Sequence, residues 1–295
     1  MPEEASSGAV ARSRLRDALT IERPPPATPA TRRLRALIAV TAVATVLVEV
    51  LNLEYTQEGG FALAVRTVWA LLRALGFLFL MRWVRYGRIG ARPVGLILAV
   101  TTVFAVARLV TPRAGALLPR VEILLGFAVL SVLCGLVVYH LYRSPAIAAH
   151  LNRRPPRRQI PPWALTVRIA VLSYSALLLV PCLVAAGSLV GSPRLRPDLA
   201  VPLVAAWFAG ALAIGFLVPW LSLFAVFGQG WARWLLALLT VTVLVVQPVL
   251  CWLLLGVDGV IRDGAPLVVT ALLALYGLWR TRQPAGRRTR RPAQP

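Results

Sequence analysis

Six polar side chains inside or at the edge of apolar runs are candidates for a site: Glu49, Arg66, Arg73, Arg108, Glu122 and Gln247, while Arg168, near the cytoplasmic end of its run, is expected to snorkel. An ionised group at the centre of a bilayer costs about 2.5–3.5 kcal/mol on insertion scales, so such residues turn inward, pair, or line an ion or substrate path. Depth sorts them. Glu49 lies four residues from the C-terminal end of its run and Arg66 five from the N-terminal end of the next. They share a depth and are expected to pair. Arg108 and Glu122 match in the same way on the following hairpin. Arg73 is different. It lies near mid-membrane, on the same helix face as Arg66 because seven residues are nearly two turns. No acid matches its depth in the sequence. Its chemistry would be contact with an anion or lipid headgroup on a polar path, or with carbonyls freed by prolines in neighbouring helices. On that basis Arg73→Leu should preserve or raise the folded yield while abolishing transport or binding. Gln247 precedes Pro248, which sets an amide beside a freed carbonyl.

Other chemistry finds no support. His140 and His150 form no metal-binding motif. Asp198, Asp258 and Asp263 fall between apolar runs and form no pair spaced to hold magnesium and a diphosphate. There is no nucleophile elbow and no phosphate loop. Cys134, Cys182 and Cys251 all lie in apolar runs, an odd number without metal spacing. No catalytic residue, cofactor or metal is therefore assigned. The segment 258–264 carries two Asp-Gly turn signals and reads as a tight loop.

These side chains would be positioned by membrane-spanning helices. Apolar residues make up 58% of the chain and charged ones only 15%, against about 45–50% and 25% in soluble domains. Eight apolar runs cover 34–53, 61–81, 93–111, 121–142, 163–190, 201–227, 231–256 and 265–280. In a bilayer each must be helical, since no water satisfies the backbone. The last is the weakest: Pro266 to Trp279 spans about 21 Å at the helical rise, short for a bilayer. The fifth to seventh runs are longer than a straight crossing needs and contain Pro181, Pro219 and Pro248, so tilt or kinking is expected. Residues 1–33 and 281–295 read as disordered basic tails, the first with a proline cluster and a weak amphipathic signal from Arg12 to Ile21.

All 32 cationic residues are arginine. Of these, 23 fall in the tails and loops on one side of the runs and five on the other. The positive-inside rule then places both termini in the cytoplasm. The net charge of +21 does not point to nucleic acid, because the arginines flank the runs and no aromatic residues interleave with them as a stacking platform. The partner they imply is the bilayer itself, with anionic headgroups at the cytoplasmic face.

With arginine replacing lysine throughout and abundant Ala, Gly and Pro, the chain resembles uncharacterised multi-pass membrane proteins of high-GC actinobacteria. The resemblance implies a cytoplasmic-membrane location and carries over no site residues.

The reading is an all-α, polytopic helical bundle of about eight spans over residues 34–280, N-in and C-in. Its expected function is non-enzymatic: a permease-like protein or the membrane subunit of a larger assembly. The alternatives are a membrane-embedded enzyme acting on a lipid or isoprenoid, and a scaffold that recruits cytoplasmic partners. A polar cavity reaching Arg73 would favour transport. A closed apolar pocket ending at Glu49 would favour the enzyme, and a filled bundle the scaffold.

Overall fold

A computed structural model of the protein describes residues 26–55, 60–107, 121–152, 162–191 and 195–282. Helix accounts for 93% of them and no strand occurs among them, so the class is all-α. The helices are α1 (Pro29–Tyr55), α2 (Phe61–Arg85), α3 (Ala91–Ala107), α4 (Val121–Arg143), α5 (Pro145–Asn152), α6 (Pro162–Leu177), α7 (Leu179–Gly191), α8 (Pro197–Val226), α9 (Gly230–Gly259) and α10 (Ala265–Arg282). Proline opens α1, α5, α6 and α8, where its fixed φ suits the first turn and its missing N–H costs nothing. Thr28 caps α1 by accepting from the Thr31 backbone N–H at 3.3 Å.

Six helical stretches are long and apolar enough to cross a membrane: 29–53, 63–85, 121–143, 163–189, 197–226 and 230–280. The shorter α3 is apolar as well. The fifth run is one stretch with a break at Leu178, between α6 and α7. Pro181 lies just beyond it and has no N–H to give the Leu177 carbonyl, which loosens the helix there. The loop after α4 holds the short helix α5, which the sequence did not signal. The Arg12–Ile21 signal lies outside the described residues.

The largest departure from expectation is at the end of α9. The chain does not loop through 257–264. It turns at a single residue, Gly256, with φ 73 and ψ −162. This region of backbone space is essentially reserved for glycine. Helical geometry resumes at 257 and passes through a π-turn, Val260–Gly264, into α10. Cys251 Sγ lies 3.8 Å from where a side chain on Gly264 would begin, so the chain doubles back on itself. The final helix therefore runs over residues 257–282, about 39 Å at the helical rise. The short last run becomes long enough to cross.

Packing divides the bundle into two groups. One core gathers Leu34, Ile38, Phe77, Leu80, Leu130, Val137 and Leu141 from α1 to α4, with Ile147 and Leu151 of α5. The other gathers Tyr174, Val218, Leu236, Cys251, Leu267 and Ala274 from α6 to α10. Gly95 of α3 permits a close approach inside the first, since a side chain there would collide with Leu141 Cδ1. Tyr174 and Thr240 share a 3.0 Å hydrogen bond inside the second. The groups meet where α2 packs on α7 and where α3 packs on α6, α10 and the π-turn. That seam contains the polar residues.

Candidate functional site

On α1, the buried positions Leu34, Ile38, Thr41, Thr45, Val48 and Glu49 recur at three- and four-residue spacing. On α2, Ala70, Arg73, Ala74, Phe77, Leu80 and Val84 do the same. The opposite faces expose Val40, Val43, Leu47, Leu71, Leu75 and Phe79. The charges point inward and the aliphatic side chains outward, an arrangement suited to a hydrocarbon surround. Arg73 is 4% exposed and Glu49 8%.

The π-turn brings two charges that the sequence placed in a loop. Arg262 is 6% exposed and Asp263 8%. This corrects the expectation that Arg73 has no acid at its depth. The acids whose charge reaches Arg73 are Glu49 and Asp263. Arg262 feels Asp263 first, then Glu49. Asp263 feels Arg262 first, then Arg66 and Arg73. Glu49, Arg66, Arg73, Arg262 and Asp263 thus form one electrostatic cluster across α1, α2 and the π-turn. Burial without water is costly unless such groups neutralise one another.

The cluster borders a cleft at the seam. Its walls are Arg66, Trp69 and Arg73 of α2, Thr101 and Ala105 of α3, Leu177 and Val180 beside the α6–α7 break, Arg262 and Asp263, and Pro266. The empty space is about 340 Å³ with the mouth included. Its throat is narrow and suits water-sized groups. Three guanidinium groups face one carboxylate on this lining. Several polar atoms are buried without a hydrogen-bond partner in the protein: Arg73 Nε, Glu49 Oε1 and Asp263 Oδ2. Such atoms carry a desolvation cost of about 1–3 kcal/mol each unless water or a ligand meets them. Leu177, whose carbonyl Pro181 leaves without its helical donor, is also on the lining. The corresponding residues for Pro219 and Pro248 are not.

The remaining sequence candidates are elsewhere. Glu122 is exposed in the first turn of α4, where a carboxylate complements the helix dipole. Arg108 lies outside the described residues. Gln247 is buried but off the cleft. Its Oε1 accepts from Trp207 Nε1 at 2.9 Å, tying α8 to α9. Its Nε2 reaches Cys251 Sγ at 3.9 Å, beneath the turn that carries Asp263. Its role is to brace that helix. Among the described residues no cluster of His, Cys, Asp and Glu could hold a metal ion.

No family model, curated protein or solved structure matches the chain. The site must speak through its own chemistry. What it offers is an uneven set of fixed charges, with cations in excess on the lining, in a small cleft between two helical groups.

Proposed function

We propose that the protein is an eight-span, permease-like protein of the cytoplasmic membrane, with both termini in the cytoplasm and the seam cleft as its polar path. The observation that carries this reading is the charged cleft at Arg73 inside an otherwise apolar bundle. Substrate sites in membrane proteins favour such seams, where broken helices meet charges at membrane depth. The break at Leu178 lies between the lining residues Leu177 and Val180, and the turn at Gly256 precedes the π-turn that carries Arg262 and Asp263. Eight spans follow if α3 crosses, if α6 and α7 together make one crossing, and if Gly256 divides the 230–280 stretch in two. The arginine asymmetry sets the orientation, and anionic headgroups hold the cytoplasmic loops.

Two measurements test the reading. In a cysteine-free background, an impermeant thiol reagent added outside should label a cysteine at Gln57 and leave those at Gln159 and Thr289 unmodified. Labelling at Thr289 would place the C-terminus outside. For the path itself, proteoliposomes are swollen in isotonic potassium chloride, sulfate or phosphate with a potassium ionophore present. Anion uptake then limits swelling. At least one salt should swell them faster than protein-free vesicles, and Arg66→Gln should change that rate. Swelling identical with and without protein in every salt would favour the scaffold reading.

A further inference from the structure

Two buried orphan atoms on the cleft have opposite requirements. Arg73 Nε needs an acceptor, and Asp263 Oδ2, as a carboxylate oxygen, needs a donor. Both residues line the same space, together with Arg66 and Arg262. Arg73 comes from α2 and Asp263 from the π-turn that faces it across the seam. Each guanidinium carries five N–H donors in a planar fork, matched to the oxygens of carboxylate and phosphate. A planar carboxylate has only two oxygens, too few for forks that converge from separate helices. A tetrahedral oxyanion has four. A fully deprotonated one would satisfy Arg73 but repel Asp263. One that retains a proton satisfies both.

We infer that the cleft binds an oxyanion that keeps an O–H, hydrogen phosphate or a phosphate monoester in its singly ionised form, with its oxygens on Arg66, Arg73 and Arg262 and its O–H donated to Asp263. The inference rests on the polar-path reading and specifies its ligand. As it stands the space admits only water-sized groups. The throat must widen for a five-atom group. Arg66 is the half-buried charged wall, and a rotamer change of its long side chain opens it. The same chemistry separates phosphate from sulfate. Sulfate has no proton at neutral pH and would leave Asp263 facing an oxygen, and a site built to accept an O–H rejects the analogue that lacks it. A phosphodiester headgroup fails in the same way, whereas a monoester lipid such as phosphatidate can donate to Asp263 in its singly ionised form.

The test is calorimetric titration of the full chain in phosphatidylcholine nanodiscs, with inorganic phosphate and with sulfate at matched ionic strength. Phosphate should bind saturably and at least tenfold more tightly than sulfate. Arg66→Gln, at a half-buried position, should weaken phosphate at least tenfold in protein that still melts cooperatively. Asp263→Asn should bring phosphate and sulfate together, because an amide can donate to either. If Asp263→Asn fails to fold, the wild-type phosphate-to-sulfate ratio and Arg66→Gln still decide the matter. If free phosphate does not bind but phosphatidate is retained through purification in an Arg66-dependent way, and phosphatidylglycerol is not, the monoester is lipid-borne and the assignment stands. Equal affinity for phosphate and sulfate would overturn it, as would the absence of Arg66-sensitive binding of either phosphate or phosphatidate. Binding without anion-driven swelling would sink the permease reading alone. Swelling without Arg66-sensitive binding would sink the oxyanion assignment alone.

Discussion

Arg73→Leu is expected to destabilise the folded protein by about 3–5 kcal/mol, the cost of removing one partner from a buried set of charges. Glu49 and Asp263 both feel its charge, and both are nearly inaccessible to solvent. Without Arg73 they keep that burial and lose a counter-charge. Adding Glu49→Gln should recover most of the loss. Asp263 then still has Arg262 and Arg66, while the acid first in line for Arg73 has become neutral. Unfolding in mixed micelles, read as a shift in midpoint, measures both variants against the parent. A single variant as stable as the parent, or a double variant worse than the single, would show that these charges do not support one another. The sequence alone pointed the other way, to an Arg73→Leu chain that folds as well or better. That expectation assumed an arginine with no acid near it, and the π-turn removes the assumption.

Gly256→Ala should be the second severe substitution. Its backbone, at φ 73 and ψ −162, is a conformation that costs an L-residue about 1–3 kcal/mol. A helical compromise at 256 would straighten α9 and carry Arg262 and Asp263 out of the seam. Cleft function should therefore fail along with stability. Gly264→Ala is the control. A methyl there meets nothing closer than 3.7 Å and should change stability by no more than about 0.5 kcal/mol. Thermal unfolding of the two variants checks the contrast. Comparable losses from both would mean that the reversal is not made at Gly256.

The contrast between these glycines explains what could be read from the sequence. Glu49, Arg66 and Arg73 were legible because a charge in an apolar run has few places to go, and helical spacing put the latter two on one face. Arg262 and Asp263 were not. The Val257–Gly264 segment has two Asp-Gly pairs, which ordinarily turn a chain, and aspartate and glycine are poor helix formers. Three glycines at 256, 259 and 264 could each have made the turn. Only the packing of Cys251 against Gly264 and the positive φ at Gly256 settle which one does. The break at Leu178 was half legible: Pro181 announced a kink, but nothing announced that Leu177 and Val180 would border the cleft. Gln247 was recognisable as a polar group placed for a reason. Its partner, Trp207, stands 40 positions away, and that pairing depends on how α8 lies against α9. The spans were legible because hydropathy is a property of each segment, whereas the seam is a property of two helical groups meeting.

The proposed polar path requires that water reach the cleft at Arg73. Thr101 lines that cleft and carries no charge, so a cysteine there reports on the space without disturbing the cluster. In a background with Cys134, Cys182 and Cys251 replaced, the Thr101→Cys protein in lipid vesicles should react with a small, charged, membrane-impermeant thiol reagent. The rate should lie well above that of a cysteine at Leu75, which is exposed on the outer face of α2. Reaction at Thr101→Cys no faster than at Leu75→Cys, in a folded protein, would mean that the charges are sealed against water and that the seam is no path.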